Sequence, residues 1–277
     1  MVNTGTQTFL KVMRYFGTDG IRGLYGSKIM CEHFANKVGQ AIGTYLKKDY
    51  PEDSTVAVAS DTRPSGSSLK NSVISGLRSM GVKVLDFGIV PTPALAYAVL
   101  KHQANFGIMI TASHNPVADN GIKCFSKDAT KLQLTEELLL EDLIAQTHEV
   151  SASSNEAIKC NILEDYIKNL RSYFSELDLS GLRIALDCAN GATSKTTPRI
   201  LEDFGASVLG AHLGEGIINE DCGSEHLESL KKLVQEEKAD LGIAHDGDGD
   251  RVRFIDASGQ VIDGDQILGV LAFHAQR

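Results

Sequence analysis

Apolar residues along the chain follow two alternating spacings. The short continuous runs Val56 to Ala59 and Val82 to Phe87 predict buried strands, and Phe106 to Thr111 predicts a third. Between the first two, Leu69, Val73, Leu77 and Met80 recur at helical spacing, and Gly81 follows where a helix C-cap often sits. Pro91-Thr92-Pro93 opens a further helix. Thr135, with Glu136 and Glu137 behind it, caps a long one running to about His148. Strands and helices interleaved in this way predict layered α/β domains, mixed sheets sandwiched by helices.

The periodicity lapses over residues 150–157, V-S-A-S-S-N-E-A, which predicts a linker of small polar residues. A second cycle then begins. Its strands are expected at Arg183 to Asp187, Ala206 to Leu209 and Ala239 to Ala244, with Leu227, Leu230, Leu233 and Val234 sharing one helix face. Val252 to Asp256, the turn at 257–260 and Val261 to Asp263 predict a hairpin, and an apolar helix starts near Asp265. The expected division is a first domain at 1–156, a second at 157–255, and at 256–277 the start of a third. Because the pattern stops inside that helix at Arg277, truncation is expected.

Composition narrows the class. With 277 residues and 42% hydrophobic content, the chain can bury two ordinary cores. Its longest apolar runs are strand-length, well short of the roughly 20 residues of a membrane-spanning helix. The N-terminus lacks a secretory pattern, so a cytoplasmic location is expected. Cys31, Cys124, Cys160, Cys188 and Cys222 are scattered and never form C-x-x-C, which argues against a disulfide framework or zinc site. A net charge of -9 offers no footprint for nucleic acid or a membrane surface. Phosphate binding would need a few cations gathered at one place.

The sharpest chemical signal is Asp246-Gly247-Asp248-Gly249-Asp250-Arg251, directly after a predicted buried strand. Alternating glycines let three carboxylates converge, and converging carboxylates need a divalent cation. Oxygen-only ligation favours magnesium, manganese or calcium over zinc. An EF-hand loop would need glycine at its sixth position and glutamate at its twelfth, where Arg251 and Ala257 stand.

A second loop, Thr111-Ala112-Ser113-His114-Asn115-Pro116, also follows a predicted strand. Ligand groups in α/β sheets gather at the carboxyl ends of strands, so Ser113 is a candidate nucleophile. The same residues also suit a plain turn. Phe16-Gly17-Thr18-Asp19-Gly20-Ile21-Arg22-Gly23 is glycine-rich but matches no phosphate-loop pattern. By itself it predicts an irregular segment pinned by Phe16 and Ile21, with Asp19 and Arg22 paired. Asp119 to Lys123 reads as a hairpin-type turn leading into a strand over Ile122 to Phe125.

Together these motifs resemble the α-D-phosphohexomutases, which share D-G-D-G-D-R, [T/S]-A-S-H-N-P and F-G-T-D-G-I-R-G in this order. Asp187-Cys188-Ala189-Asn190-Gly191-Ala192 is similar to the family's second-domain strand and turn. The segments at 119–123, 218–224 and 263–266 are most similar to the branch acting on glucosamine phosphates, and the resemblance covers essentially the whole chain. Two departures stand out. His245 occupies a position where the family usually has phenylalanine, and the chain ends before the family's third-domain sugar loop and fourth-domain phosphate loop.

The resemblance implies a phosphoserine enzyme at Ser113. Asp246, Asp248 and Asp250 would hold one magnesium ion together with a phosphoserine oxygen of Ser113. Phosphoserine adds about two negative charges, so a cation beside the three carboxylates is required. Arg22 and Lys123 would flank the serine loop and assist proton transfer, His114 would support that loop, and Arg251 would face the substrate. The implied substrate is a phosphosugar, glucosamine 6-phosphate, converted to the 1-phosphate through a sugar bisphosphate that also serves as activator. The product would feed UDP-N-acetylglucosamine and peptidoglycan synthesis; a homodimer is compatible with the resemblance. Competing readings are the mannose and glucose branches of the family and a metal-dependent serine phosphatase; the 277-residue chain by itself is expected to bind magnesium without mutase turnover.

Overall fold

The structure is a computed structural model that describes residues 13–147 and 156–275. His148 and most of the expected linker at 150–157 lie outside the described residues. In chain order the first part contains β1 (Phe16–Gly17), β2 (Gly20–Leu24), α1 (Glu32–Asp49), β3 (Thr55–Ser60), α2 (Gly66–Ser79), β4 (Lys83–Ile89) and α3 (Thr92–Lys101). It continues with β5 (Phe106–Ile110), β6 (Asp119–Ser126), α4 (Leu134–Gln146), β7 (Ile158–Lys159) and α5 (Leu163–Tyr173). The second part contains β8 (Arg183–Asp187), α6 (Thr197–Asp203), β9 (Ser207–Ala211), α7 (Glu228–Glu236), β10 (Leu241–His245), β11 (Val252–Asp256), β12 (Val261–Ile262) and α8 (Gly264–Ala275).

Two mixed sheets result, in the orders β1-β2-β6-β5-β3-β4-β7 and β12-β11-β10-β8-β9. In the first, β3 runs parallel to β4 and β5, whereas β6 returns antiparallel between β5 and β2. The pleat explains why these strands are apolar without a break. Val56 and Val58 enter a core shared with Phe34, Val38, Leu69, Val73 and Leu140, while Ala57 and Ala59 enter another with Leu95, Val99 and Ile162. Helices α1, α2 and α4 therefore cover one face, and α3 with the start of α5 covers the other. The second sheet repeats this plan around Leu230 and Val234 of α7 on one face, with Leu201 of α6 against the other.

Helices α1 and α2 meet at two glycines. A Cβ on Gly39 would lie 2.2 Å from the Val73 carbonyl oxygen, and one on Gly76 would lie 2.1 Å from that of Asn36. Only hydrogen fits at either place.

Several local expectations are corrected. Asp119 to Gly121 is strand, not turn: Gly121 pairs with Arg22 and Asn120 with Gly23 of β2. The turn lies earlier, where the Asp119 N–H donates to the Pro116 carbonyl. The glycine-rich N-terminal segment is a hairpin rather than irregular, with Phe16 opposite Ile21 and both side chains buried. Helix α4 is capped by Gln133 instead of Thr135, through a capping box with Glu136. Ile158 and Lys159, which the expected boundary puts in the second domain, form β7 and pair with β4 at the edge of the first sheet.

Among the described residues no helix is long and apolar enough to cross a membrane. In α8, Leu268, Val270, Leu271 and Phe273 are all exposed.

Candidate active site

The serine loop leaves the carboxyl end of β5. Ser113 is fully buried and lies in the left-handed region at φ 56°, a conformation that costs an L-residue roughly 1–2 kcal/mol. It is held there from several sides. Its N–H donates to Thr111 Oγ1 at 2.8 Å, and its carbonyl accepts from Arg63 Nη2 at 3.0 Å and Asn219 Nδ2 at 2.8 Å. The hydroxyl donates to Asp246 Oδ2 at 2.5 Å and lies 3.5 Å from Asp250 Oδ1.

The aspartate loop leaves the carboxyl end of β10, so both loops arise where parallel strands end. Asp246, Asp248 and Asp250 bring carboxylate oxygens within 4.8 Å of one another. The first two are buried and Asp250 is exposed. Asp246 Oδ1 accepts the Arg251 N–H at 3.1 Å. Asp248 Oδ2 accepts from Thr92 Oγ1 at 2.7 Å and Lys123 Nζ at 2.8 Å. Its other oxygen, Oδ1, is buried without a hydrogen-bond partner. An oxygen-only donor set with one buried lone oxygen fits a hard divalent cation.

Charge explains the titration behaviour. Burial, with the charge of Asp248 second, holds the Asp246 carboxyl well above the usual carboxylate range. Burial acts on Asp248 in the same sense, but Lys123 and Thr92 outweigh it and leave its pKa lowered. Lys123 loses solvation too, and Asp248 and Asp250 more than compensate, so its pKa is raised. The ammonium also reaches Asp250 Oδ2 at 2.5 Å and Asp19 Oδ2 at 3.0 Å.

Among the other residues expected here, Arg22 pairs with Asp19 at 2.7 Å and leaves its Nε buried without a partner. Arg22 and Arg251 line one pocket of about 350 Å³ with Tyr15, Thr18 and Asp19. His114 follows Ser113 on the loop. Its Nδ1 is buried and unpartnered, and burial followed by the charge of Arg251 lowers its pKa, which favours a neutral imidazole. The geometry thus gathers Ser113, Lys123, Asp246, Asp248 and Asp250 at one point, with the Arg22 and Arg251 pocket beside it.

Sequence reasoning missed the supports of the serine loop. The guanidinium of Arg63, itself 3% exposed, donates to four carbonyls, those of Ser113, Asn115, Pro116 and Asp119. Asp61 orients it through Nε at 3.1 Å and also accepts from Thr111. Burial raises the Asp61 pKa to about 6 against the pull of Arg63. The available signal was an arginine two residues after a strand-terminal aspartate. A further cluster of Asp187, His212 and Cys222 has another role. Asp187 accepts the N–H groups of Ala189 at 2.7 Å and Gly223 at 2.9 Å, which fixes two loops.

Comparison with known proteins gives the family. Residues 13–151 match the family model for phosphoglucomutase/phosphomannomutase, alpha/beta/alpha domain I, and residues 164–259 match that for domain II. The chain belongs to this family. A phosphoglucosamine mutase of Syntrophotalea carbinolica is 43% identical over 93% of the chain and 58% of that protein. One from Francisella tularensis subsp. novicida is 41% identical over 94% of the chain and 59% of that protein. The chain therefore spans somewhat under two thirds of these curated relatives. A phosphoglucomutase/phosphomannomutase family protein of Burkholderia thailandensis has a similar solved structure, with TM-score 0.79, 25% identity, and coverage of 92% of this chain and 57% of that one. A more distant likeness, in fold alone, is an Aspergillus fumigatus N-acetylphosphoglucosamine mutase, with TM-score 0.55, 16% identity, and coverage of 92% and 53%.

Proposed function

We propose that the chain carries the phosphoryl-transfer half of a phosphoglucosamine mutase, which interconverts glucosamine 6-phosphate and glucosamine 1-phosphate. The carrying observation is the convergence of the Ser113 hydroxyl with three carboxylates and the Lys123 ammonium. Identity of 41–43% to phosphoglucosamine mutases supports the amino sugar over mannose or glucose. On this reading the first domain extends through β7 and the start of α5, past the expected boundary at 156, the second runs to about 255, and the enzyme works in the cytoplasm.

Ser113 carries the phosphoryl group in the resting enzyme. In the first half-reaction the bond between phosphorus and Ser113 Oγ breaks, a bond to the free sugar hydroxyl forms, and the sugar becomes a bisphosphate. Oγ recovers a proton as the sugar hydroxyl loses one. The sugar bisphosphate then presents its other phosphate: the bond between that phosphorus and its sugar oxygen breaks, a bond to Oγ forms, and the Oγ proton passes to the sugar oxygen. Lys123 connects to Ser113 through Asp250, whose two oxygens face the ammonium and the hydroxyl. On this reading Lys123 returns a proton to the leaving oxygen by way of Asp250. Arg22 and Arg251 bind phosphosugar oxygens in the pocket they line, and neutral His114 supports the serine loop.

Phosphorylation of Ser113 replaces the proton shared with Asp246 by about two negative charges facing three carboxylates. Asp246, Asp248, Asp250 and phosphorylated Ser113 would hold a divalent ion, which would neutralise this charge and polarise the phosphorus. Magnesium is the ion proposed.

The test is intact-mass measurement before and after exposure to glucosamine 1,6-bisphosphate, followed by a coupled assay on glucosamine 6-phosphate. One phosphoryl group should appear, map to Ser113 and be absent in Ser113→Ala. Phosphate on another residue would remove Ser113 from its role. Release of inorganic phosphate without sugar isomer would make the protein a phosphatase, and faster turnover of mannose or glucose phosphates would move it to another branch.

A further inference from the structure

The carbonyls of Ser113 and Asn115 each accept two hydrogen bonds, one from each α/β unit. Arg63 Nη2, from the loop after β3, donates to them at 3.0 and 2.7 Å. Asn219 Nδ2, from the segment between β9 and α7, donates to the same two at 2.8 and 3.1 Å. Both hydrogens of the Asn219 amide are thus spent on the serine loop. Its backbone is anchored on the other side, where the Asn219 N–H donates to the Ala189 carbonyl at 3.0 Å.

Asn219 sits at φ 59°, in the left-handed region that asparagine tolerates better than most residues. This conformation is what allows the backbone to bond Ala189 while the side chain reaches the other unit. Directly beneath lies the aspartate loop. A Cβ on Gly247 would meet Asn219 Nδ2 at 2.9 Å and the Ser113 carbonyl oxygen at 2.8 Å. The amide of Asn219, the carbonyl of Ser113 and the backbone between Asp246 and Asp248 are therefore packed against one another.

We infer that Asn219 is a positioning residue that holds Ser113 in register with the three carboxylates across the junction of the two units. This rests on the phosphoserine reading above. Arg63 fixes the serine loop within its own unit and cannot do this, because all its partners among the described hydrogen bonds belong to the first sheet's loops. Asn219 links that loop to the unit bearing Asp246. A shift of about 1 Å between nucleophile and reacting phosphorus is enough to lower a transfer rate by roughly 100-fold, whereas sugar and metal contacts made by other residues are unaffected.

Two variants separate positioning from folding. Asn219→Gly keeps the left-handed backbone and deletes the donor. Asn219→Asp keeps the shape and turns an oxygen toward two carbonyls. In each, hydrogen exchange of the peptide spanning 111–119 should accelerate about tenfold while exchange over β3 and β10 stays unchanged. That readout does not depend on any activity. Phosphoryl transfer from glucosamine 1,6-bisphosphate to Ser113 should then slow by about 10- to 100-fold at saturation, with the concentration giving half-maximal rate and the magnesium affinity within about twofold of the parent. The inference is overturned if loop exchange is unchanged in both variants, or if rate, magnesium affinity and global protection from exchange fall together. Failure of the parent protein to phosphorylate at all, with loop exchange still accelerated in the variants, would sink the phosphoserine reading and leave Asn219 as a clamp between the two loops.

Discussion

The ammonium of Lys123 lies 2.8 Å from Oδ2 of Asp248, and both side chains are almost wholly shielded from water. In this arrangement the lysine is the counter-charge of a carboxylate that the proposed function gives to a metal. Removing it has two opposite consequences. Lys123→Met leaves a buried charge uncompensated, which costs about 3 kcal/mol or more, so the metal-free protein should melt markedly lower. The same change removes a cation beside the metal site, so magnesium should bind more tightly and recover part of the lost stability. Thermal unfolding with and without magnesium, together with a binding titration, measures both. Parallel losses of stability and affinity would show that Lys123 is not the counter-charge of the aspartate loop.

Metal affinity should rise with pH. Asp246 has a raised pKa through burial and its neighbour Asp248, and it must lose its proton to become a ligand. A folded pKa above the unfolded one contributes stability that is fully present below the ordinary carboxylate range and is lost as pH climbs through the raised value. The metal-free protein should therefore lose this contribution on going from about pH 5 to about pH 8, and saturating magnesium should suppress the loss. Asp248→Asn removes both the repulsion and one ligand charge, so the pH effect on stability and the magnesium affinity should both shrink. Denaturant midpoints at the two pH values, with and without magnesium, provide the measurement. A metal-free stability that rises through this interval would show that Asp246 does not carry a raised pKa in the folded protein.

The glycines at the α1 and α2 crossing offer a test of the scaffold alone. Gly39→Ala or Gly76→Ala would drive a methyl into a backbone carbonyl at just over 2 Å, and overpacking of this kind typically costs 1–3 kcal/mol, sometimes more. A chemical denaturation midpoint should fall in each variant despite the higher helix propensity of alanine. An unchanged midpoint would mean the helices can separate freely.

These crossings also show where sequence and structure part company. Strands such as Thr55–Ser60 were legible because burial on both faces demands an unbroken apolar run. The aspartate and serine loops were legible because their chemistry is carried by adjacent residues. Helix α1 went unread: Gly39 and Gly43 weaken its local signal, and the reason for Gly39 lies in α2, which no local pattern contains. Asp119 to Gly121 carries the Asn-Gly signature of a turn, yet Asn120 is fully buried, donates to Ser65 Oγ at 2.7 Å and accepts the Gly121 N–H at 2.8 Å. Gly121 is required because a Cβ there would lie 2.4 Å from the Thr111 carbonyl oxygen. Arg63 and Asn219 were missed because their partners are backbone carbonyls from distant loops, and backbone partners leave no mark in side-chain motifs.

Gly247 yields a final prediction, because three neighbours occupy the space its side chain would need. A Cβ would lie 2.7 Å from Ile218 Cδ1, 2.8 Å from the Ser113 carbonyl oxygen and 2.9 Å from Asn219 Nδ2. The isoleucine methyl can rotate away, but the Ser113 carbonyl is pinned by Arg63 and Asn219, so the two loops must move apart. Gly247→Ala should lower stability by about 1–3 kcal/mol and slow phosphorylation of Ser113 more than it weakens magnesium binding, since Asp246, Asp248 and Asp250 travel together on one loop. Gly269→Ala supplies the contrast. It lies inside α8, where an added Cβ would have nothing within 4 Å, and replacing an interior helix glycine with alanine contributes about 1 kcal/mol of stability. Unfolding midpoints should thus move in opposite directions in the two variants. If Gly247→Ala keeps both the parent midpoint and the parent phosphorylation rate, the serine and aspartate loops are not held in contact as the structure shows them.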